Sequence, residues 1–189
     1  MPREIAWPRL WITSRHLSEM MTEASAKVPL ETGGILMGYT AQPVGTNARE
    51  WNAGVVTAAI GPGPRAVHER NRFVPDHEFH RAEVARLYEH SGRTWRYLGD
   101  WHSHPGTAAY MSPTDARTLA RIARSDAARA PQPVMLILGQ RPTIVDLGSA
   151  DWQVRGWRFV RRGFREALSW GPFGSTNVPL HILILDPDP

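Results

Sequence analysis

The chain has 189 residues, of which 42% are hydrophobic, and it carries eight tryptophans and a formal net charge of +4 at pH 7. This length and composition predict a single folded domain with one substantial core, and they exclude a largely disordered chain. The sequence contains no cysteine, which excludes disulfides and thiolate metal sites, so any metal ion must be held by histidine, aspartate or glutamate.

Charge and hydropathy also limit the expected partners. The arginines are spread along the chain, so the modest positive charge gives no reason to expect a nucleic-acid partner. Residues 1–8 lack the apolar core of a signal peptide, and no later apolar run approaches the ~18 residues of a membrane span. We therefore expect a cytoplasmic protein that has no membrane partner.

Two elements are predicted before residue 30. Residues 5–12 form an extended segment that Pro8 interrupts, which predicts an edge strand. Thr13 or Ser14 is suited to begin a helix that runs to about Ala26. Its apolar residues recur at helical spacing and are expected in the core: Leu17, Met20, Met21 and Ala24.

A pair of strands and a polar segment follow. Residues 35–39 predict a buried strand, and residues 51–60 predict a second strand paired to it. Glu31 precedes the first strand, where a solvated turn acid and a functional acid are equally good interpretations. Residues 61–75 are polar and arginine-rich, which fits either a disordered connector or a substrate-gripping flap in which Arg70 and Arg72 contact the substrate.

Asp76 is suited to begin a helix that ends near His90. The buried face of this helix is predicted from three residues: Val84, Leu87 and Tyr88. His77 and His80 are one residue too close for a zincin motif and are interpreted as surface residues. Residues 95–101 then predict the central strand.

The most informative stretch continues that strand from Gly99. His102 and His104 share one face of an extended chain, while Trp101 faces the opposite side. Ser112 and Pro113 are typical of a helix start, which would bring Asp115 back towards the strand end. Paired strand histidines and a capping acid are each common as purely structural features. Together they offer three ligands with a fourth position open, the pattern of a catalytic zinc site.

The last third of the chain carries less specific sequence patterns. Residues 113–127 predict a helix, residues 134–138 a buried strand, and residues 143–147 a strand paired to it. Beyond residue 150, tryptophans alternate with Arg155, Arg158, Arg161, Arg162 and Arg165. This pattern fits nucleic-acid binding, but a final strand and an amphipathic helix with a solvated arginine face are favoured. Residues 180–185 predict a last edge strand or a docking segment.

The joint spacing of the candidate ligands resembles a known signature. Glu31, then His102-Ser-His104, seven residues, Ser112, two residues and Asp115 match the JAMM motif of the JAB/MPN metalloproteases at every position. The resemblance covers residues 28–147, with 150–189 as a C-terminal extension of one domain spanning 1–189. It implies an α/β fold of three layers, in which helices flank a mixed sheet and a zinc site lies at a strand end and a helix N-terminus.

The segment from Gly61 to Asp76 narrows the resemblance to compact bacterial JAB proteins of mobile elements and anti-phage operons that encode ubiquitin-like conjugation machinery. The resemblance implies one Zn²⁺ held by His102, His104 and Asp115, with water as the fourth ligand. It also implies Glu31 as the catalytic base and Ser112 as the oxyanion donor. Tyr110, in the loop before Ser112, is expected either to contact substrate or to pack.

The implied reaction is hydrolysis of an amide or isopeptide bond after a ubiquitin-like modifier or a conjugated protein, with E1-like or E2-like enzymes as possible operon partners. The resemblance leaves two alternatives. Relatives that lack the metal ligands serve as non-catalytic MPN-type scaffold subunits, and other JAB proteins of mobile elements associate with DNA.

Overall fold

The computed structural model describes residues 8–41, 53–140, 152–161 and 175–186. Its elements in chain order are β1 (Arg9–Thr13), α1 (Ser14–Lys27), β2 (Gly33–Ala41), β3 (Ala53–Ile60), β4 (Val67–Glu69), β5 (Arg72–Val74), α2 (His77–His90), β6 (Arg96–His104), α3 (Pro113–Arg124), a 3-10 turn (Asp126–Ala128), β7 (Val134–Gln140), β8 (Trp152–Arg161), β9 (Ser175–Pro179) and β10 (His181–Leu185). No helix within these ranges is long and apolar enough to cross a membrane.

Among the described residues, eight strands form one mixed sheet in the order β10-β1-β3-β2-β6-β7-β8-β9. The β10–β1, β1–β3 and β6–β7 pairs are parallel, and the other pairs are antiparallel. β9 and β10 occupy opposite ends of this order although only Leu180 separates them along the chain. The sheet therefore curves until its edges approach, and the Leu180 amide donates to the Gly156 carbonyl of β8 at 2.8 Å.

The helices cover both faces of the sheet and make three layers. On one face, Met20 of α1 joins Leu36 and Trp101 in a buried cluster. On the other face, Leu87 of α2 packs with residues of β2 and β3, and Leu119 of α3 packs with residues of β7 and β8. The predicted α/β class, with a mixed sheet flanked by helices, is confirmed.

A bulge in β6 sets which of its side chains face α2 and α3. Gly99 has φ +155°, and the register between β2 and β6 shifts at this point. Leu98 and Trp101, three residues apart, therefore both face α1, and the alternation restarts after the bulge. His102 and His104 consequently lie on the face of α2 and α3, opposite the buried Trp101, as the alternation predicts.

Several sequence predictions at the sheet's edges need correction. The edge-strand prediction for residues 5–12 is wrong, because β1 lies between β10 and β3. The edge strand predicted near the C-terminus is confirmed as β10. Among the described strands, β7 pairs with β6 and β8. Residues 143–147, which are predicted to pair with the strand at residues 134–138, lie outside the described residues. The predicted helix after residue 161 lies outside them as well.

The region from residue 61 to residue 90 differs from its prediction in three ways. Of the two interpretations of residues 61–75, the disordered connector is wrong for residues 67–74, since β4 and β5 form a hairpin, called here the flap hairpin. His80 is buried rather than on the surface, and its Nε2 donates to the Gly61 carbonyl at 2.8 Å. Tyr88, expected in the core, is 37% exposed, whereas Leu87 is buried.

The basic C-terminal segment is not one solvated face. Arg155 is exposed, but Arg158 is only 6% exposed and its burial lowers its pKa. The two side chains point to opposite faces of β8, because residues three apart on a strand do so. Arg158 is therefore no surface contact for a nucleic acid, and Arg162 and Arg165 lie outside the described residues.

Candidate active site

Three potential metal ligands meet where β6 ends and α3 begins. The Nε2 atoms of His102 and His104 lie 3.0 Å apart. Asp115 approaches both, with one carboxylate oxygen 3.3 Å from Nε2 of His102 and the other 3.6 Å from Nε2 of His104. The three ligand atoms lie within 4.8 Å of one another. The structure thus brings together the residues that the sequence proposed as ligands.

Asp115 is held in place by the start of α3. Its backbone N–H donates to Oγ of Ser112 at 3.2 Å, and its carboxylate accepts from the Ser112 N–H at 2.9 Å. This reciprocal capping box, with Pro113 in the first turn, confirms the predicted helix start. One turn further on, fully buried Leu119 anchors the helix to the core. The carboxylate is therefore positioned by both the cap and the core.

The electrostatics of Asp115 and His104 suit a cation. Burial opposes ionisation of Asp115, but hydrogen bonds with His102 and Ser112 outweigh it and hold its pKa at about 2. Burial, followed by the neighbouring His102, lowers the pKa of His104 to about 4. At neutral pH, Asp115 is therefore charged and His104 is neutral, which are the forms that bind a metal ion.

The distances also fit a tetrahedral ion. Bonds of about 2.0–2.1 Å to nitrogen or oxygen give ligand atoms roughly 3.3 Å apart in a tetrahedral zinc site. The two Nε2 atoms are 3.0 Å apart, and each lies close to this spacing from one of the two carboxylate oxygens of Asp115, at 3.3 Å for His102 and 3.6 Å for His104. Two imidazoles and one carboxylate leave a fourth position open, as in catalytic zinc sites. The residues present therefore fit a single divalent metal ion.

Glu31 approaches the same face from the residues just before β2. Gly33 pairs with His102, and Thr32 is bonded to Ser103, so continuing the register brings Glu31 to the level of His104. A Cβ at position 33 would lie 2.9 Å from that of His102, so glycine is needed for this close pairing. Burial raises the pKa of Glu31 to about 7, with His102 lowering and Asp115 raising it more weakly. A proton acceptor with a pKa near neutrality thus borders the three ligands.

Comparison with known families agrees with this geometry. Residues 13–159 match the family described as prokaryotic homologs of the JAB domain. The chain belongs to this family.

Two relatives of the JAB protein carry names that describe an activity. "Probable metalloprotease y4qB" of Sinorhizobium fredii is 41% identical over 149 residues, which cover 78% of this chain and 82% of the relative. The "CD-NTase/cGAS isopeptidase" of Enterobacter hormaechei is 30% identical over 161 residues, 83% of this chain and 81% of the relative. With its three potential ligands intact, the JAB protein is a JAMM-type metallopeptidase.

A solved structure agrees with the JAB fold. Protein DSY2949 from Desulfitobacterium hafniense superposes with a TM-score of 0.55 at 16% identity, over 93% of this chain and 94% of that one. At this low identity the match supports the fold alone.

The predicted substrate contacts are exposed, and one of them borders the potential ligands. Arg70 and Arg72 are exposed in the flap hairpin, Arg70 in its turn and Arg72 in β5. Tyr110 is 50% exposed, and its ring centroid is 5.2 Å from that of His104. All three side chains are accessible to a substrate, and only Tyr110 contacts one of the potential ligands in the described structure.

Sequence reasoning did not identify two hydrogen bonds of β6 that lie next to the potential ligands. Ser103, between the two histidines, is fully buried, and its Oγ accepts from the Thr32 N–H at 3.0 Å. Tyr97 donates to half-buried Asp100 at 2.6 Å, on the face of β6 that carries His102. A small hydroxyl at a buried strand position is the signal that could have revealed Ser103. No local pattern indicates the Tyr97–Asp100 pair, because the bulge at Gly99 creates it.

Proposed function

We propose that the JAB protein is a zinc-dependent isopeptidase of the bacterial cytoplasm. It hydrolyses the amide or isopeptide bond that follows the C-terminus of a ubiquitin-like modifier or of a conjugated enzyme. The observation that carries the proposal is the convergence of the His102, His104 and Asp115 ligand atoms beside Glu31, a carboxyl whose pKa is about 7. A site of this composition is suited to metal-assisted hydrolysis.

His102, His104 and Asp115 would hold the zinc ion. Their nitrogen and oxygen donors suit Zn²⁺, and three protein ligands leave room for solvent or substrate. When bound, the ion supplies Lewis-acid chemistry, since it acidifies water and polarises the scissile carbonyl. The chain itself supplies the orientation: β6 fixes both imidazoles, and the α3 capping box fixes the carboxylate.

Glu31 is proposed as the general acid and base. Its carboxylate takes a proton from the attacking water and returns it to the amine nitrogen as the carbon–nitrogen bond breaks. A pKa near the working pH serves both steps, because the group must accept and release the same proton within one cycle. The partly buried position of Glu31 is what raises its pKa to this range.

Ser112 is proposed as the donor to the oxyanion that develops on the scissile carbonyl. Its Oγ accepts a hydrogen bond from the Asp115 N–H, which leaves the hydroxyl O–H free to donate to another group. Preorganised donors of this kind favour the transition state, because no reorientation is needed during the reaction. Capping α3 and donating to substrate are therefore compatible roles for one hydroxyl.

The substrate class follows the Enterobacter relative, whose name describes an isopeptidase for a CD-NTase or cGAS. We propose a conjugated enzyme of that class, or a ubiquitin-like modifier, as the group released, with E1-like and E2-like enzymes of an anti-phage operon as partners. Exposed Arg70 and Arg72, together with Tyr110, are proposed to contact the extended C-terminal tail that enters the site.

Cleavage of a fusion protein tests this proposal. A CD-NTase joined through its C-terminus to a fluorescent protein, and a ubiquitin-like protein joined in the same way, are each incubated with the zinc-loaded protein. We expect one fusion to be cut at the junction, the chelator 1,10-phenanthroline to stop the reaction, and added zinc to restore it. Failure of the zinc-loaded protein to cut either fusion, or cleavage that persists in chelator, would contradict the proposal.

The two alternative functions are less well supported. A scaffold subunit has no need for three converging ligand atoms, and these residues are intact here. A DNA-associated role relied on the basic C-terminal segment, in which Arg158 is buried.

A further inference from the structure

We infer that His68 is a positioning residue for Glu31 and that it makes the direction of the Glu31 carboxyl depend on the flap hairpin. This inference rests on the proposed function, because it assumes that Glu31 moves the proton. Nδ1 of His68 lies 2.9 Å from the Glu31 carbonyl oxygen, to which it donates. The Glu31 N–H donates to the Glu69 carbonyl at 2.8 Å. Both polar backbone atoms of Glu31 are thus bonded to β4.

The next residue is held by a different element. The Thr32 N–H donates to Oγ of Ser103 at 3.0 Å, and the Ser103 N–H donates to the Thr32 carbonyl at 2.8 Å. Thr32 also donates through its hydroxyl to Glu23 of α1 at 3.1 Å. Glu31 therefore lies where the backbone passes from the hydrogen bonds of the core to those of the hairpin. Fixing both sides of this residue restricts the directions its side chain can take.

The hairpin in turn restrains the imidazole. His68 pairs with Phe73 across the two strands, and the ring centroids are 5.5 Å apart. Such cross-strand aromatic contacts restrict the rotamers of both partners. Because His68 is half-buried and packed in this way, its Nδ1 stays directed at Glu31. Loss of that hydrogen bond should loosen Glu31 without removing any group that contacts the metal or the substrate.

Four variants test the inference. H68A removes the donor, and H68N places an amide N–H close to the position of Nδ1. H68D has the shape of H68N but presents only acceptors to the Glu31 carbonyl at neutral pH. H90A is the matched control, because it deletes an exposed histidine at the end of α2. Thermal melts of all four variants first establish that each is folded.

Hydrogen exchange at the Glu31 amide gives a readout that is independent of activity. We expect exchange about three- to tenfold faster in H68A and H68D, the effect of losing one hydrogen bond, and unchanged in H68N and H90A. Unchanged exchange in H68A, or H68N as fast as H68A, would overturn the inference. This readout needs no substrate, so it remains decisive if the wild type cleaves nothing and the proposed function fails.

Steady-state kinetics on the cleaved fusion add a second readout. Misplacing a reacting group by about 1 Å can cost 10²-fold, so we expect kcat to fall roughly ten- to a hundredfold in H68A and H68D. KM should stay within about twofold, because substrate contacts are unaffected, and H68N should restore kcat. A rise in KM with unchanged kcat would mean that His68 binds substrate instead, and would contradict the positioning role.

Discussion

The two sides of the site are built differently. The proposed ligands lie on a central strand with neighbours on both sides and on a helix anchored by Leu119. The flap hairpin has two three-residue strands and an exposed turn, and it is joined to Glu31 by two hydrogen bonds. This contrast indicates that the core sets the geometry of the metal site, whereas a few hydrogen bonds set the direction of Glu31. Changes on the first side should cost metal, and changes on the second should cost rate.

The largest effect is expected from removing a ligand on the core side. H102A should leave only two protein ligands and lose stoichiometric metal, so activity should fall by at least about 10⁴-fold, the upper end of what one acid–base group supplies. Elemental analysis alongside the fusion assay measures both quantities. H90A should retain metal and activity. Full metal content in H102A would show that His102 is not a metal ligand.

The next largest effect concerns Glu31 itself. E31Q preserves size and shape, so metal content should stay at the wild-type level while kcat falls by about 10²–10⁴-fold, the usual contribution of a positioned acid–base group. Measuring metal content and kcat on the same preparation distinguishes loss of the metal from loss of the acid–base group. Turnover at more than half the wild-type rate would remove Glu31 from the mechanism.

Ser112 has two roles in the site, because it caps α3 and is proposed to contact substrate. S112A should lose about 1 kcal/mol of unfolding free energy, whereas S112G should lose only a few tenths, since glycine is a tolerable N-cap. Both variants lack the hydroxyl, so kcat should fall about 10²-fold in each. Denaturant melts and kinetics measure the two effects. Wild-type kcat in S112G would reduce Ser112 to a capping role.

The smallest effect is expected at the base of the hairpin. Arg65 forms a salt bridge with Asp76 at 3.1 Å, and Asp76 also caps α2 by accepting from the Phe79 N–H. The Arg65 hydrogen bond and this cap lower the pKa of Asp76 to about 2. Because the folded-state pKa is depressed, the stabilisation is present above the unfolded pKa of about 4 and is lost as pH falls through 2.

D76N removes this charge and keeps the cap, because asparagine caps a helix as well as aspartate does, but its amide nitrogen can no longer accept from the Arg65 N–H. The Tm of D76N should lie slightly below that of the wild type from pH 7 to about pH 4, and the two should converge towards pH 2. Thermal melts across this range measure the difference. A Tm difference that widens at low pH would contradict the lowered pKa of Asp76. Metal content of D76N should equal that of the wild type.

The core side of the site was largely predictable because its signals are local. Alternation along an extended chain assigns His102 and His104 to one face, and the capping residues around Pro113 place Asp115 in a first turn. Each depends on residues only a few positions apart. Glu31 needed the family resemblance, since nothing in its own neighbourhood separates it from a solvated turn acid.

The remaining features depend on contacts that are distant in sequence. β1 is not an edge strand because β10, from the far end of the chain, pairs with it. His68 contacts a residue 37 positions away, which periodicity cannot reveal. Arg158 is buried on β8, which lies between β7 and β9 in the sheet, whereas composition alone suggests a solvated face. Tertiary pairing decided each of these three cases.

Anomalous diffraction at the zinc absorption edge, from crystals of the zinc-loaded protein, tests the central claim most directly. We predict one peak per chain, about 2.0–2.2 Å from Nε2 of His102, Nε2 of His104 and a carboxylate oxygen of Asp115. Absence of a peak at this position, or a peak with Asp115 turned away from it, would contradict the account.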